Sequence, residues 1–204
     1  MRGFARWIPT ARSRITATLM ILDLFQLDGR VALVTGGRRG LGRAMAVGLA
    51  EAGADVACVS LSGDARETAQ SVEATGRRFL DIQADLGDPS QRDGLIDQIV
   101  SNLGRLDILV NNAGGGGRGA PEEFSMDTWR EQIEVHLTAA FDLSQQAAVH
   151  MLSRGRGKII NIGSVMTYQG GLDIPAYAAA KHALAGMTRS LATSWAGRGI
   201  NVNC

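Results

Sequence analysis

VALVTGGRRGLG, residues 31–42, joins an apolar run to a glycine-rich turn and leads into a helical pattern. Glycines at 36, 40 and 42 permit a tight turn and let backbone N–H groups approach a pyrophosphate, and the N-terminus of the next helix adds its dipole. A glycine pattern alone is weak; the strand before it and the helix after it give it meaning. The same stretch also serves a strand-to-helix turn that holds no ligand.

Outward from this stretch the pattern repeats. Residues 31–35, 55–60, 79–83, 107–111, 158–163 and 200–204 read as strands. Periodic segments over 41–53, 65–76, 89–104, 127–153 and 176–197 read as helices. The strands are near-continuous apolar runs, as expected when helices cover both faces of a parallel sheet. This predicts an α/β protein: a doubly wound parallel sheet of Rossmann type with helices on both faces and right-handed crossovers. GGGGRG, residues 114–119, reads as a flexible loop after the fourth strand. INVNC opens a strand that no helix follows, so the C-terminal portion of the fold is expected to lie beyond residue 204.

Composition excludes several classes. With 204 residues the chain suits one domain with a sizeable core. A net charge of +1 gives no basic field for nucleic acid. Aromatic residues at 5% and 26 glycines suit an α/β protein better than an all-β sandwich. Cys58 and Cys204 suggest no disulfide framework and fit a reduced, cytoplasmic setting. No apolar stretch is long enough to span a bilayer. Before the first acid, Asp23, stand Arg2, Arg6, Arg12 and Arg14. Such a segment suits a transit peptide, a disordered tail or an over-early start; Met20, which leads directly into the first strand, favours the last. Residues 1–25 are therefore taken as an extension and 26–204 as the nucleotide-binding domain.

Three further motifs fall at strand ends or just beyond. NNAG, residues 111–114, closes the fourth strand: its asparagines can tie loops together, and Ala113 and Gly114 leave room for a flat ligand. Ser164 follows the fifth strand. In IPAYAAAKHAL, residues 174–184, Tyr177 and Lys181 stand one helical turn apart. A lysine there would ease the loss of the phenolic proton, making Tyr177 a proton donor near neutral pH. Alone, the pair also suits a partly exposed helix with snorkelling side chains. Convergence of three elements on one crevice favours a site.

Together, TGGRRGLG, NNAG, Ser164 and YAAAK resemble the short-chain dehydrogenase/reductase superfamily over about residues 26–204. The resemblance implies Tyr177 as acid/base, Lys181 as its electrostatic partner and holder of the nicotinamide ribose, and Ser164 as the donor to the substrate oxygen. It places Gly36, Arg39, Gly40, Leu41 and Gly42 at the nucleotide, with Asn111, Ala113 and Gly114 lining it and Asp85 at the adenine. One position departs from the family pattern: His136 stands where an asparagine usually holds a water that links the lysine to solvent, and its titratable ring could bind that water and join the relay or be satisfied locally in its helix.

The cofactor is NAD or NADP. Ser60 occupies the place where a carboxylate would favour NAD, while Arg38 and Arg39 could pair with a 2′-phosphate. ATGRRFLDIQADL, LGRLDILVNNAG and KIINIGSVMTYQGGLDIPAYAAAK resemble the 2-deoxy-D-gluconate 3-dehydrogenase and 2-keto-3-deoxygluconate 5-dehydrogenase group. This implies a small-molecule sugar-acid alcohol or ketone as substrate, with no nucleic acid or membrane partner, and a homo-oligomer, a tetramer, when full length. A 3-oxoacyl-carrier-protein reductase is the enzyme alternative. A truncated nucleotide-binding remnant without turnover is the alternative of another class.

Overall fold

A computed structural model describes residues 21–204. Among them six strands pair in parallel in the order β3-β2-β1-β4-β5-β6. These are β1 (Val31–Thr35), β2 (Asp55–Ser60), β3 (Phe79–Gln83), β4 (Ile108–Asn111), β5 (Gly157–Asn161) and β6 (Ile200–Asn203). The helices are α1 (Gly40–Glu51), α2 (Arg66–Glu73), α3 (Pro89–Arg92), α4 (Leu95–Leu103), α5 (Met126–Ile133), α6 (Ala139–Ser153) and α7 (Pro175–Trp195).

The chain winds outward from β1 in one direction and from β4 in the other. β1 and β4 are therefore neighbours whose following loops part, which opens a crevice at their carboxyl ends. All of VALVT is buried, because the two faces of β1 enter two different cores. Ala32 and Val34 pack with Val56, Cys58, Val110 and the α1 residues Ala46 and Ala50. Val31 and Leu33 pack with Leu109 and Ile159 against α4, α6 and α7, through Ile99, Leu143 and Leu191.

The expected elements are present with four corrections. β4 begins at Ile108; Asp107, just before it, still bonds Val31 O through its N and Lys158 N through its O, both at 2.9 Å, while its carboxylate accepts from Val31 N at 3.0 Å and pairs with Arg105 at 2.6 Å. The single helix expected over 89–104 is two, α3 and α4, broken where Gly94 takes φ +67°. The helix expected over 127–153 is divided by one π-helical turn, Glu134–Thr138, between α5 and α6. The fifth strand ends at Asn161 instead of 163.

Burial also departs from the expectation of two covered faces. Along β5 and β6 it alternates, and Lys158, Ile160, Asn201 and Asn203 face the side on which α1 and α2 cover only the other strands. Of the expected extension, residues 1–20 lie outside the described residues, including Met20 and the four arginines. Ile21–Phe25 form an exposed 3₁₀ turn. Among the described residues no helix is long and apolar enough to cross a membrane.

Candidate active site

The crevice begins at the β1 turn. Gly36 has φ +68°, a conformation costly for any residue with a β-carbon. Gly42 is fixed by contact: a β-carbon there would lie 2.2 Å from Gly36 O. Removing that side chain lets α1 start directly against the strand end. The N-cap, Arg39, is extended and makes no side-chain cap, so the first N–H groups of α1 have no side-chain acceptor. That is the condition of a helix start able to hold phosphate.

Hydrogen bonds lock this turn to β4. Thr35 Oγ1 accepts from Asn112 N and Ala113 N, both at 2.9 Å, and donates to Val110 O at 3.3 Å. Asn112 Nδ2 returns a bond to Thr35 O at 2.9 Å. Asn111 is turned inward: its Nδ2 reaches Asn161 Oδ1 at 2.8 Å, Ser144 Oγ at 3.1 Å and Ala140 O at 3.3 Å. Asn161 Nδ2 in turn donates to Thr188 Oγ1 at 2.9 Å. A buried polar chain thus runs from β4 through β5 to α7 and fixes the helix that carries Tyr177 and Lys181.

On α7 Pro175 occupies the first turn, where its missing N–H costs nothing. Tyr177 follows, and Lys181 stands one turn further on. Lys181 is 5% exposed, and its Nζ donates to Ile162 O at 2.6 Å. Burial pushes its pKa below the ordinary lysine value. Nζ lies 5.6 Å from the centroid of the Tyr177 ring. Ser164 caps the short turn Val165–Thr167: its Oγ accepts from Met166 N at 3.2 Å, which leaves the hydroxyl proton available to donate.

His136 projects from the π turn and meets Tyr177 edge-on, with centroids 5.2 Å apart and planes at 85°. It packs where Gly114 has no side chain; a β-carbon on Gly114 would lie 2.1 Å from His136 Cε1. Nε2 is 2.5 Å from Gly115 O. Burial pushes the imidazole pKa below its ordinary value, and the Lys181 charge acts in the same direction.

A profile of the short chain dehydrogenase family matches residues 30–204. The chain belongs to the short-chain dehydrogenase family. It is 46% identical over 185 residues to 2-dehydro-3-deoxy-D-gluconate 5-dehydrogenase of Dickeya dadantii, covering 90% of this chain and 73% of that one. A solved structure from Agrobacterium tumefaciens with bound NADP, provisionally assigned as a 2-deoxy-D-gluconate 3-dehydrogenase, superposes with TM-score 0.80 at 44% identity, over 88% of this chain and 71% of that chain. Carveol dehydrogenase from Mycobacterium avium in complex with NAD superposes with TM-score 0.82 at 32% identity, over 87% and 70% of the two chains. This short-chain dehydrogenase is an NAD(P)-dependent oxidoreductase.

In the short-chain dehydrogenase the expected residues gather around one sheet edge in two groups. Tyr177, Lys181 and His136 form one contact cluster, and Gly36, Gly42, Ala113 and the N-terminus of α1 form the second. Gly40 at φ +57° and exposed Arg39 and Leu41 complete the glycine turn. Ser60 ends β2 with a buried Oγ that has no hydrogen-bond partner. Asp85 closes a turn by accepting from Gly87 N at 2.8 Å. Absent from the expected site residues is Thr35, whose hydroxyl ties the two loops of the crevice, while Asn112 ties them as the NNAG asparagines were expected to. The signal for Thr35 was its place directly before the glycine pair.

Proposed function

We propose that this chain transfers a hydride between NAD(P) and a secondary alcohol or ketone of a deoxy-gluconate-type sugar acid. The carrying observation is the buried Lys181, anchored on Ile162 O one turn beyond Tyr177 on α7. The sugar-acid class is supported by relatives named 2-dehydro-3-deoxy-D-gluconate 5-dehydrogenase at 44–46% identity in three bacteria, if the Bacillus subtilis protein at 45% is counted with those of Dickeya dadantii and Escherichia coli.

The residues present fit the dinucleotide. A glycine turn that tolerates no β-carbon at position 42, and an uncapped start of α1, suit the pyrophosphate. Gly36, Arg39, Gly40, Leu41 and Gly42 hold that end; Ser60 and Asp85 serve the adenosine half; Ala113 and Gly114 give flat backbone beside it, with Asn111 supporting them from beneath. The bound nicotinamide supplies or accepts the hydride. The protein then has to manage one proton. When the carbonyl is reduced, Tyr177 Oη gives its proton to the substrate oxygen; in oxidation it takes that proton back. Lys181, fixed one turn beyond Tyr177, would hold the nicotinamide ribose, and Ser164 Oγ–H donates to the same substrate oxygen and fixes its place. Cytoplasmic location and homo-oligomeric assembly belong to the same reading, and cell fractionation and sedimentation velocity test them.

Replacing Tyr177 with Phe removes the transferable proton and little else. We expect loss of at least about a hundredfold in kcat, the usual weight of a general acid, with nucleotide binding by fluorescence retained. Turnover near the wild-type rate would sink the assignment. Steady-state rates on a keto-deoxy sugar acid and on an acetoacetyl thioester separate the sugar-acid reading from a 3-oxoacyl-carrier-protein reductase. Nucleotide binding with no turnover across a carbonyl panel would point instead to a binding remnant.

A further inference from the structure

The tip of the glycine turn, residues 37–39, lies between two positive-φ glycines, Gly36 at +68° and Gly40 at +57°. Glycine flanks leave such a segment free to swing unless something else holds it. What holds it is α2. Thr68, fully buried on that helix, directs its hydroxyl at two carbonyls of the tip, Gly37 O at 3.0 Å and Arg38 O at 3.2 Å. A helical serine or threonine ordinarily returns its proton to the carbonyl one turn back. Ser71 on the same helix does so, donating to Glu67 O at 2.8 Å. Thr68 instead gives its one proton to backbone 30 and 31 residues earlier.

The two carbonyls belong to the peptide groups on either side of Arg38. Holding both planes fixes the φ and ψ of Arg38, and with them the direction of its Cα–Cβ bond. Arg39 continues from there in extended form, at φ −150° and ψ 172°. Contact closes the same tip from β2: a β-carbon on Gly37 would lie 2.2 Å from Cys58 Sγ. The helix that carries Thr68 is itself braced. Asp81 of β3 accepts from Ala65 N at 2.9 Å, Val72 packs in the core with Ala46 and Ala50, and Glu67 pairs with Arg43 of α1. Arg38 and Arg39, which line the crevice beyond β1 and β2, therefore take their aim from a fixed hydroxyl. The start of the turn is held separately, by Asn112 Nδ2 on Thr35 O.

We infer that Thr68 is a positioning residue for the choice between NADP and NAD: through the carbonyls of Gly37 and Arg38 it aims the two arginines at the ribose 2′ position of the nucleotide. Thr68 is 0% exposed and offers nothing to the nucleotide itself. Its effect reaches the ligand only through the backbone of the tip. A guanidinium recognises phosphate through a planar fork, so turning its Cα–Cβ bond loses the pairing even though the charge remains. A 2′-hydroxyl makes no such demand. Loss of the Thr68 bond therefore weakens the 2′-phosphorylated nucleotide selectively, and the pyrophosphate at the start of α1 is spared. A threonine that served the fold alone would weaken both nucleotides in parallel, or neither.

This inference rests on the NAD(P) part of the proposed function and is read by binding alone, so failure of the sugar-acid assignment leaves it intact. Fluorescence titrations with NADPH and NADH give two dissociation constants and their ratio. Thr68→Val, close in shape but without the hydroxyl, should raise the NADPH constant about tenfold, the scale of one charge-assisted hydrogen bond, with the NADH constant little changed. Thr68→Ala is a second hydroxyl-free variant that carries the same expectation if Thr68→Val does not fold. Thr68→Ser keeps the donor and should recover the wild-type ratio. Added to Arg38→Ala and Arg39→Ala, Thr68→Val should change the ratio no further. An unchanged ratio in the hydroxyl-free variants, a parallel loss of both nucleotides, or a Thr68→Ser protein as impaired as Thr68→Val overturns the proposal. Equal constants in the wild-type protein overturn it as well, without touching the oxidoreductase reading, which either nucleotide satisfies.

Discussion

A methyl group added at Gly42 would lie 2.2 Å from Gly36 O and 2.6 Å from Asn112 Nδ2, so the glycine turn and the NNAG loop would both have to move. Gly42→Ala should therefore cost about 1–3 kcal/mol, the usual range for overpacking, and weaken nucleotide binding together with it. Urea denaturation and a nucleotide fluorescence titration check this; a stable variant of unchanged affinity would mean that the close approach is unimportant. Cys58 shows the opposite kind of constraint. Burial, reinforced by the Asp81 charge, pushes its thiol up to about 12 from 9.0. It stays neutral in the native protein while an unfolded thiol ionises, so its contribution to stability is present below about pH 9 and lost as pH rises toward 12. Under native conditions at pH 8 a thiol reagent should label exposed Cys204 and spare Cys58. Rapid labelling of both would contradict the packing.

At the scale of elements, the sequence carries what local chemistry decides. VALVTGGRRGLG reads correctly as strand, turn and helix because its glycines are demanded by backbone geometry within a few residues. Tyr177 and Lys181 lie one turn apart on α7, as the sequence spacing predicts, because an unbroken helix fixes that spacing. What escapes depends on distant partners. The π turn is invisible because the apolar period runs smoothly across 127–153; what holds it is Arg92, more than forty residues earlier. The break before α4 was announced by an Asp-Gly pair, yet the periodic pattern on either side obscures it. The alternating exposure of β5 and β6 reflects what covers the sheet, which no strand encodes. Arg92 tests this directly. It is 3% exposed and bonds Glu134, Asp142 and Leu86 O. Its carboxylate partners are each 31% exposed and can regain water. Arg92→Ala should thus fall at the low end of the cost of breaking a buried pair, about 3 kcal/mol. It should also free the π turn and lower kcat more than nucleotide affinity. Unchanged kcat in a folded Arg92→Ala protein would show that His136 keeps its place without this clamp.

Across the whole molecule, strand order decides which loops can share a ligand. Because β2 lies beside β1, the glycine turn after β1 and the loop after β2 border one crevice of about 460 Å³, lined by Arg38, Arg39, Asp64, Arg66, Glu67 and Gln70. Its two carboxylates are already engaged: Asp64 with Arg66 at 2.5 Å, and Glu67 with Arg43. The Arg66 side chain holds the Asp64 carboxyl below the usual carboxylate range, so that acid stays ionised and paired. Arg38 and Arg39 form no ion pair among the described residues, and β2 ends in Ser60, where a carboxylate would repel an added phosphate. The proposed NAD(P) function thereby acquires a direction: two unpaired guanidinium groups suit the 2′-phosphate that distinguishes NADP from NAD. One charge-assisted hydrogen bond gained predicts a preference for NADP of about tenfold or more in Kd. Arg39→Ala should reduce that ratio while leaving NAD affinity nearly unchanged. Added salt should weaken NADP more than NAD, because exposed charges are screened. Equal dissociation constants for the two nucleotides in the wild-type protein, or an Arg38→Ala, Arg39→Ala double variant with an undiminished ratio, would mean that these arginines face solvent and that selection between the nucleotides lies elsewhere.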